Sequence, residues 1–277
     1  MMTKRKDNGM NIGCPNDRGR KGARQLAEEF CRIALSLILA AMILGCAAGH
    51  EETRKHSEAY RNIGEAYLAQ GNITAGLQQL LQAEKIYEDD PYLQNDLGIA
   101  YLGKNRPDLA IGHFEKAVSL KPDYAPAINN MGTAYMAMKN WDRAIAAFQR
   151  ITDDLLYATP HYPLANIGMA YYHKQEYALA QSYFEKALKI DPGFPIAIKG
   201  LARTYVAIGQ SGRAIDLLED KLKLRPQAAD LWLELGDLYL ANQKPLKAAQ
   251  AFQTVMKLAP GTDWARTAEE KRSRIPN

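Results

Sequence analysis

Small residues recur along this chain on a nearly fixed step. Gly64, Gly98, Gly132, Gly168, Ala202 and Gly236 follow one another at intervals of 34, 34, 36, 34 and 34 residues. Three residues after each stands a tyrosine: Tyr67, Tyr101, Tyr135, Tyr171, Tyr205 and Tyr239. Twelve residues after each comes a second small residue (Gly76, Ala110, Ala144, Ala180, Ala214, Ala248), and four further on a large apolar one (Leu80, Phe114, Phe148, Phe184, Leu218, Phe252). A period of this length implies an array of supersecondary units, each unable to bury its apolar face alone, so that neighbours must stack.

The contents of the period are helical. In the fourth unit Leu164, Ile167, Gly168 and Tyr171 share one helix face, and Ala180, Phe184, Ala187 and Leu188 share another. This spacing belongs to amphipathic helices and not to strands. Pro122, Pro192, Pro226 and Pro260 fall where second helices must stop, because proline lacks the donor and clashes with the preceding turn. A glycine or alanine at the start of the pattern lets two helix backbones approach closely. The tyrosine and the Leu/Phe of the second helix then fill the space between hairpins.

These positions resemble the tetratricopeptide repeat (TPR). The sixth unit reads Trp232, Leu235, Gly236, Tyr239, Ala248, Phe252, Pro260, and the second reads Leu97, Gly98, Tyr101, Ala110, Phe114, Ala117, Pro122. The resemblance implies an all-α fold: a right-handed α-solenoid of six hairpins (57–90, 91–124, 125–160, 161–194, 195–228, 229–262) and a capping helix and tail over 263–277. The first unit departs from the pattern at Gly76 and Glu88. The third lacks its proline and carries two extra residues within Asp153-Asp154-Leu155-Leu156-Tyr157-Ala158-Thr159-Pro160, which should bulge the turn into unit four. Arrays of this kind usually present a binding surface with no chemistry of their own.

The N-terminus suggests where the chain works. A basic, breaker-rich segment precedes the apolar run Ile33 to Leu44, then Gly45-Cys46-Ala47-Ala48. Together these read as a secretory signal, and Ile43-Leu44-Gly45-Cys46 resembles a bacterial lipobox. That resemblance implies a signal peptide over 1–45, acylation of Cys46 as the first mature residue and a tether over 46–56. Residues 47–56 could stretch to at most roughly 35 Å. Ala47, in place of aspartate, favours the outer membrane. The apolar run is shorter than the about 20 residues of a spanning helix unless Ala47 to Gly49 are counted, in which case an uncleaved membrane anchor is the alternative.

Removing the leader changes the remaining bookkeeping of charge and sulfur. Residues 1–45 carry a net charge of +4, as does the whole chain, so the rest is near neutral and the basic pI gives no support to nucleic-acid binding. Cys14 and Cys31 leave with the leader and Cys46 takes the lipid, so no cysteine is left for a disulfide, a zinc site or a nucleophile. His50, His56, His113, His161 and His173 show no metal-ligand spacing. The acidic pairs Glu51-Glu52, Asp89-Asp90 and Asp153-Asp154 suit helix ends and turns. No catalytic residue, cofactor or metal is expected, and the roughly 230 residues left after the leader are occupied by repeats, with no room for a catalytic domain.

The remaining candidate is a groove. In TPR arrays the first helix of each hairpin lines the concave face, and the resemblance places Tyr92, Asn95, Ile99 and Leu102 there from unit two. Unit three gives Asn129, Thr133 and Met136; unit four Tyr162, Met169 and Tyr172; unit five Ile196, Lys199, Arg203 and Val206. Large apolar and sulfur-bearing side chains on such a face suit an apolar segment of a partner. Asn95, Asn129, Lys199 and Arg203 could fix its backbone or a carboxylate.

Lipobox, six repeats and cap also resemble the type IV pilus biogenesis lipoproteins of the PilF/PilW/Tgl kind. The Leu156-Tyr157 insertion before unit four, and Ala180-Gln181-Ser182-Tyr183-Phe184-Glu185-Lys186-Ala187 after it, carry the likeness. It implies a monomeric, lipid-anchored outer-membrane pilotin that binds a pilus secretin subunit and promotes its assembly. A scaffold of another envelope complex, for outer-membrane protein assembly or polysaccharide export, would share every feature except the partner. A self-assembling structural lipoprotein would differ by forming oligomers.

Overall fold

The computed structural model describes residue 32 and residues 50–152 and 159–275. The leader read from sequence apart from residue 32, Cys46, where acylation is expected, and the body of the insertion, residues 153–158, lie outside the described residues. Helix α1 covers 50–69. It is followed by α2 (Ile73–Ile86), α3 (Pro91–Gly103), α4 (Pro107–Leu120), α5 (Ala125–Ala137) and α6 (Trp141–Thr152). Then come α7 (His161–His173), α8 (Tyr177–Ile190), α9 (Pro195–Ala207), α10 (Ser211–Leu224), α11 (Ala229–Ala241), α12 (Pro245–Leu258) and α13 (Asp263–Ser273). The chain divides into an N-terminal unit ending at His56 and a second unit from Ser57 onward. Residues 50–56, read from sequence as part of an extendable tether, are helical.

From Ser57 onward the architecture is an all-α solenoid of paired helices. The rings of Phe114, Phe148, Phe184 and Phe252 and the side chains of Leu80 and Leu218 are wholly buried. Each ring lies against the recurring glycine sixteen residues before it. A β-carbon on Gly98 would stand 2.4 Å from Phe114, and one on Gly132 2.6 Å from Phe148. Neither distance is physically attainable, so the small residue is required by the ring packed on it. The small residue of unit five is Ala202, and that unit's second helix carries Leu218, a smaller side chain than phenylalanine.

The turn between the two helices of a unit follows one design. Gly71, Asn105, Lys139, Gln175, Gly209 and Gln243 all have φ between 57° and 77°. A left-handed residue at this point closes a helix by turning the next amide back onto the last carbonyls. The amide that follows donates to the carbonyl of the recurring tyrosine: Asn72 to Tyr67 at 2.9 Å, Arg106 to Tyr101 at 2.9 Å, Gln210 to Tyr205 at 2.7 Å and Lys244 to Tyr239 at 2.8 Å. The tyrosine therefore anchors the turn with its backbone as well as filling space with its ring. Only Gly71 and Gly209 take this conformation free of a β-carbon.

The second helices end as their prolines require. Helices α4, α8, α10 and α12 stop two residues before Pro122, Pro192, Pro226 and Pro260. Proline is also used to start helices: Pro91, Pro107, Pro195 and Pro245 open α3, α4, α9 and α12, where the missing donor has no intrahelical partner to lose. Successive units are joined through the tyrosine hydroxyls. Tyr135 donates to Glu115 at 3.0 Å, and Tyr239 donates to Glu219, each glutamate lying on the second helix of the preceding unit.

One asymmetry sets the location of the groove. Among the described elements, first helices pack on first helices (α3 on α5, α5 on α7, α7 on α9, α9 on α11, α11 on α13), whereas second helices touch only first helices and the cap. Elements that meet their own kind in adjacent units lie on the inner, tighter side of the curve, so the first helices form the concave wall. Helix α13 continues this inner row as a seventh first helix. It buries Ala265 and Ala268 against unit six and turns its charged side chains to water, which closes the open end of the core.

Candidate binding groove

The inner wall is built from one face of α3, α5, α7, α9, α11 and α13. Helical spacing brings the second, fifth, ninth and twelfth residue of each unit to that face. Tyr92 (44% exposed), Ile99, Tyr162, Ile196 and Val206 are exposed apolar side chains, and Thr133 and Arg203 are exposed as well. Leu102, Asn129, Met136, Met169, Tyr172 and Lys199 are half-buried. The exposed apolar side chains thus come from units two, four and five, with the half-buried Met136 from unit three.

Asn95 differs from the expectation that it meets a partner. It is only 4% exposed, its Oδ1 accepts from Asn130 at 3.0 Å and its Nδ2 donates to Asp96 at 3.3 Å. The close packing of α3 on α5 closes over it, and its amide is used to join two units. Lys199 and Arg203 are also engaged. Lys199 Nζ reaches Asp230 Oδ2 at 2.9 Å, and the Arg203 guanidinium grips both oxygens of Glu234 at 2.8 and 3.3 Å. A partner carboxylate would have to displace these intramolecular partners. Asn129 retains a buried Oδ1 with no hydrogen-bond partner among the described residues.

Residues of unit six and the cap complete the wall and were missed from the sequence. Asp230, Leu233, Glu234, Asp237 and Leu238 of α11, with Trp264 of α13 (48% exposed), line the C-terminal part. The signal was available. Asp237 lies 34 residues after Arg203, and Trp264 lies 34 after Asp230, so the same step that located the earlier positions continues through the cap.

The two ends of the groove differ electrically. At the C-terminal end Asp230, Glu234 and Asp237 are each matched by Lys199, Arg203 and Lys271, the last at 2.6 Å from Asp237. At the N-terminal end Arg61 is held by Asp90 at 2.8 Å. No cation among the described residues lies within ion-pairing distance of Glu65 or Asp96. Burial, with the charge of Glu65 in support, pushes the Asp96 carboxyl up to about 7, against the opposing pull of Arg61 and the Asn95 hydrogen bond. Burial likewise raises the nearby Tyr124 phenol to about 12, with the Asp96 charge adding to it.

His113, His161 and His173 pack against aromatic rings. His113 stacks on Tyr101 with ring centroids 5.1 Å apart and shares a 2.8 Å hydrogen bond with Gln94; burial lowers its pKa. His173 stacks on Trp141 at 4.6 Å, and His161 meets the edge of Phe194. Among the described residues no cluster of three or more His, Cys, Asp or Glu is placed to hold a metal ion. No described helix is long and apolar enough to cross a membrane.

A tetratricopeptide repeat family model matches residues 61–125, 129–195 and 199–262, and a second model of the same repeat matches 101–155 and 171–220. The chain belongs to the tetratricopeptide repeat family. This TPR chain is similar in fold to solved structures of other members. PilF of Pseudomonas aeruginosa superposes with a TM-score of 0.62 at 22% identity, covering 80% of this chain and 99% of PilF. PilW, a widely conserved type IV pilus biogenesis factor, gives 0.67 at 24% identity, covering 77% and 98%. A tetratricopeptide repeat protein of Parabacteroides merdae gives 0.64 at 16% identity, covering 79% and 86%. No curated protein matches this TPR chain by sequence.

Proposed function

We propose that this TPR protein is an outer-membrane lipoprotein that binds a type IV pilus secretin subunit through its concave groove and promotes secretin assembly, as a pilotin. The observation that carries the reading is the exposed apolar row Tyr92, Ile99, Tyr162, Ile196 and Val206 on the inner wall, in a chain whose N-terminus ends in the lipobox Ile43-Leu44-Gly45-Cys46. Exposed apolar side chains also stand on the second helices (Leu109, Leu179, Leu224, Leu246), but those of the inner wall share a concave face on which one partner segment would cover them together. Similarity in fold to PilF and to PilW, a type IV pilus biogenesis factor, over nearly their whole length supports a place in the pilus system, and the secretin as partner is what the sequence resemblance implies.

The mechanism is localisation by binding. One acyl chain holds a protein to a membrane only marginally and several hold it firmly, so a fully acylated Cys46 would keep the array at the bilayer. A secretin subunit seated in the groove would reach the membrane with it, and no covalent step is needed. The test is fractionation of cells carrying Cys46→Ser, together with recovery of the secretin on the wild-type protein. Release of the variant from membranes and fewer secretin multimers are expected. Normal multimers in that variant, or recovery of a different envelope component in place of the secretin, would overturn the reading.

A further inference from the structure

The groove is not uniform, and its C-terminal third contains two adjoining hollows. One, of about 200 Å³, is lined by Tyr172 of α7, Ala202, Arg203, Val206 and Ala207 of α9, and Glu234 and Leu238 of α11. The other, of about 290 Å³, opens beside it and shares Arg203, Glu234 and Leu238. Every lining residue of both comes from a first helix or the cap, so both open on the inner wall. The first hollow is apolar at its base (Tyr172, Val206, Leu238), with the Arg203–Glu234 pair at its edge. The second is edged by Lys199–Asp230 and Arg203–Glu234, with the Trp264 ring at its far side.

We infer that the hollow between Tyr172, Val206 and Leu238 is the specificity pocket of the groove, taking one large apolar side chain of an otherwise uncharged partner segment. This rests on the groove reading proposed above and adds where the segment is anchored and by what chemistry.

Two observations select the occupant. The first is size and lining: a recess of this volume with an apolar base accepts one leucine-, methionine- or phenylalanine-sized side chain, and its burial there removes that side chain and the pocket wall from water together. The second is charge. All three carboxylates around the hollows are matched by cations of the chain, so the edge offers oriented ion pairs with no net charge. A charged side chain entering there would lose its hydration without gaining an unpaired counter-charge. At the N-terminal end of the groove Glu65 has no cation within ion-pairing distance among the described residues, so that end disfavours a purely apolar anchor.

Ala207 provides the test. It is exposed, it lines the hollow and it ends α9, so Ala207→Leu fills the pocket without entering the core. The full chain in lipid nanodiscs is titrated with model peptides acetyl-Gly-Ser-X-Ser-Gly-amide, where X is Phe, Leu, Asp or Lys, and with overlapping short peptides of the pilus secretin. The Phe and Leu peptides are expected to bind, to shift the methyl resonances of Val206 and Leu238, and to weaken about tenfold or more in Ala207→Leu. The Asp and Lys peptides are expected to bind at least about tenfold more weakly than Phe. Equal binding of all four, no binding of the Phe peptide, or shifts centred on Ile99 would overturn the pocket. If the Phe peptide behaves as expected while no secretin peptide competes with it, the pocket stands and the secretin assignment falls. If a secretin peptide binds Ala207→Leu undiminished but is lost in Ile99→Asp, the secretin assignment stands and the pocket falls.

Discussion

The backbone of Gly200 lies so close to the ring of Phe184 that a β-carbon on it would stand 2.3 Å from the ring's Cζ. Phe184 is also covered by the recurring Gly168 of its own unit, where the corresponding distance is 2.9 Å. One wholly buried ring is therefore held between glycines of two successive repeats, and unit five contributes to the core through a residue off the regular step. Gly200→Ala should force the ring or α9 to move and destabilise the array by about 1–3 kcal/mol. Chemical denaturation of the variant beside wild type checks this. Ala202→Gly, at the regular position of the same unit, forces no clash and should cost about 1 kcal/mol in added helix flexibility plus about 1 kcal/mol for the lost buried methyl.

The hairpin turns offer the reverse effect. Lys139 and Gln243 sit at φ 57° with a β-carbon, where Gly71 and Gly209 sit at 77° without one. A β-carbon is unfavourable in the left-handed region, so Lys139→Gly and Gln243→Gly should each stabilise the fold, by up to about 1 kcal/mol. Gly209→Ala should destabilise it by a similar amount. Thermal melting of the three variants tests the sign in both directions.

Asp96 should make stability depend on pH. Its folded pKa of about 7 stands above the ordinary aspartate value of 3.8. A raised carboxyl favours the fold while protonated, so its contribution is complete below about pH 4 and is lost as the pH rises through 7. Asp96→Asn keeps an acceptor for Asn95 and removes the titration. We expect this variant to match wild type near pH 4 and to exceed it at pH 8. A shift of about three units sets a ceiling of roughly 4 kcal/mol, and water at this partly exposed site should reduce the gain to about 1–2 kcal/mol. Denaturation midpoints at the two pH values decide it; an equal gain at both would show that the effect is not one of ionisation.

The hydroxyl of Tyr239 joins unit six to Glu219 of unit five. Tyr239→Phe keeps the buried ring and removes only this link, with an expected loss of about 1 kcal/mol. Because repeats hold to nearest neighbours, that loss should appear locally. Amide exchange should quicken in α11, α12 and α13 and stay unchanged in α3 to α6.

Much of the molecule could be read from the chain because its fold is periodic. A step of 34 residues carrying glycine, tyrosine and phenylalanine at set offsets permits one class of packing, and Gly98, Gly132, Gly168 and Gly236 are each needed by a ring that the same pattern supplies. The helices and the prolines that stop them follow from repetition alone, and repetition also supplies the positions proposed to line the inner wall, of which Tyr92, Ile99, Tyr162, Ile196 and Val206 are exposed. Tertiary structure decided what depends on two units meeting. Periodicity assigns a side chain to a face, but burial and pairing depend on the residue opposite, which differs from unit to unit. Asn95 is covered because α3 and α5 close over it, Lys199 and Arg203 are consumed by Asp230 and Glu234, and among the described residues Glu65 and Asp96 have no cation within ion-pairing distance. The hollow under Tyr172, Val206 and Leu238 exists only where three first helices come together, a relation that no single repeat contains.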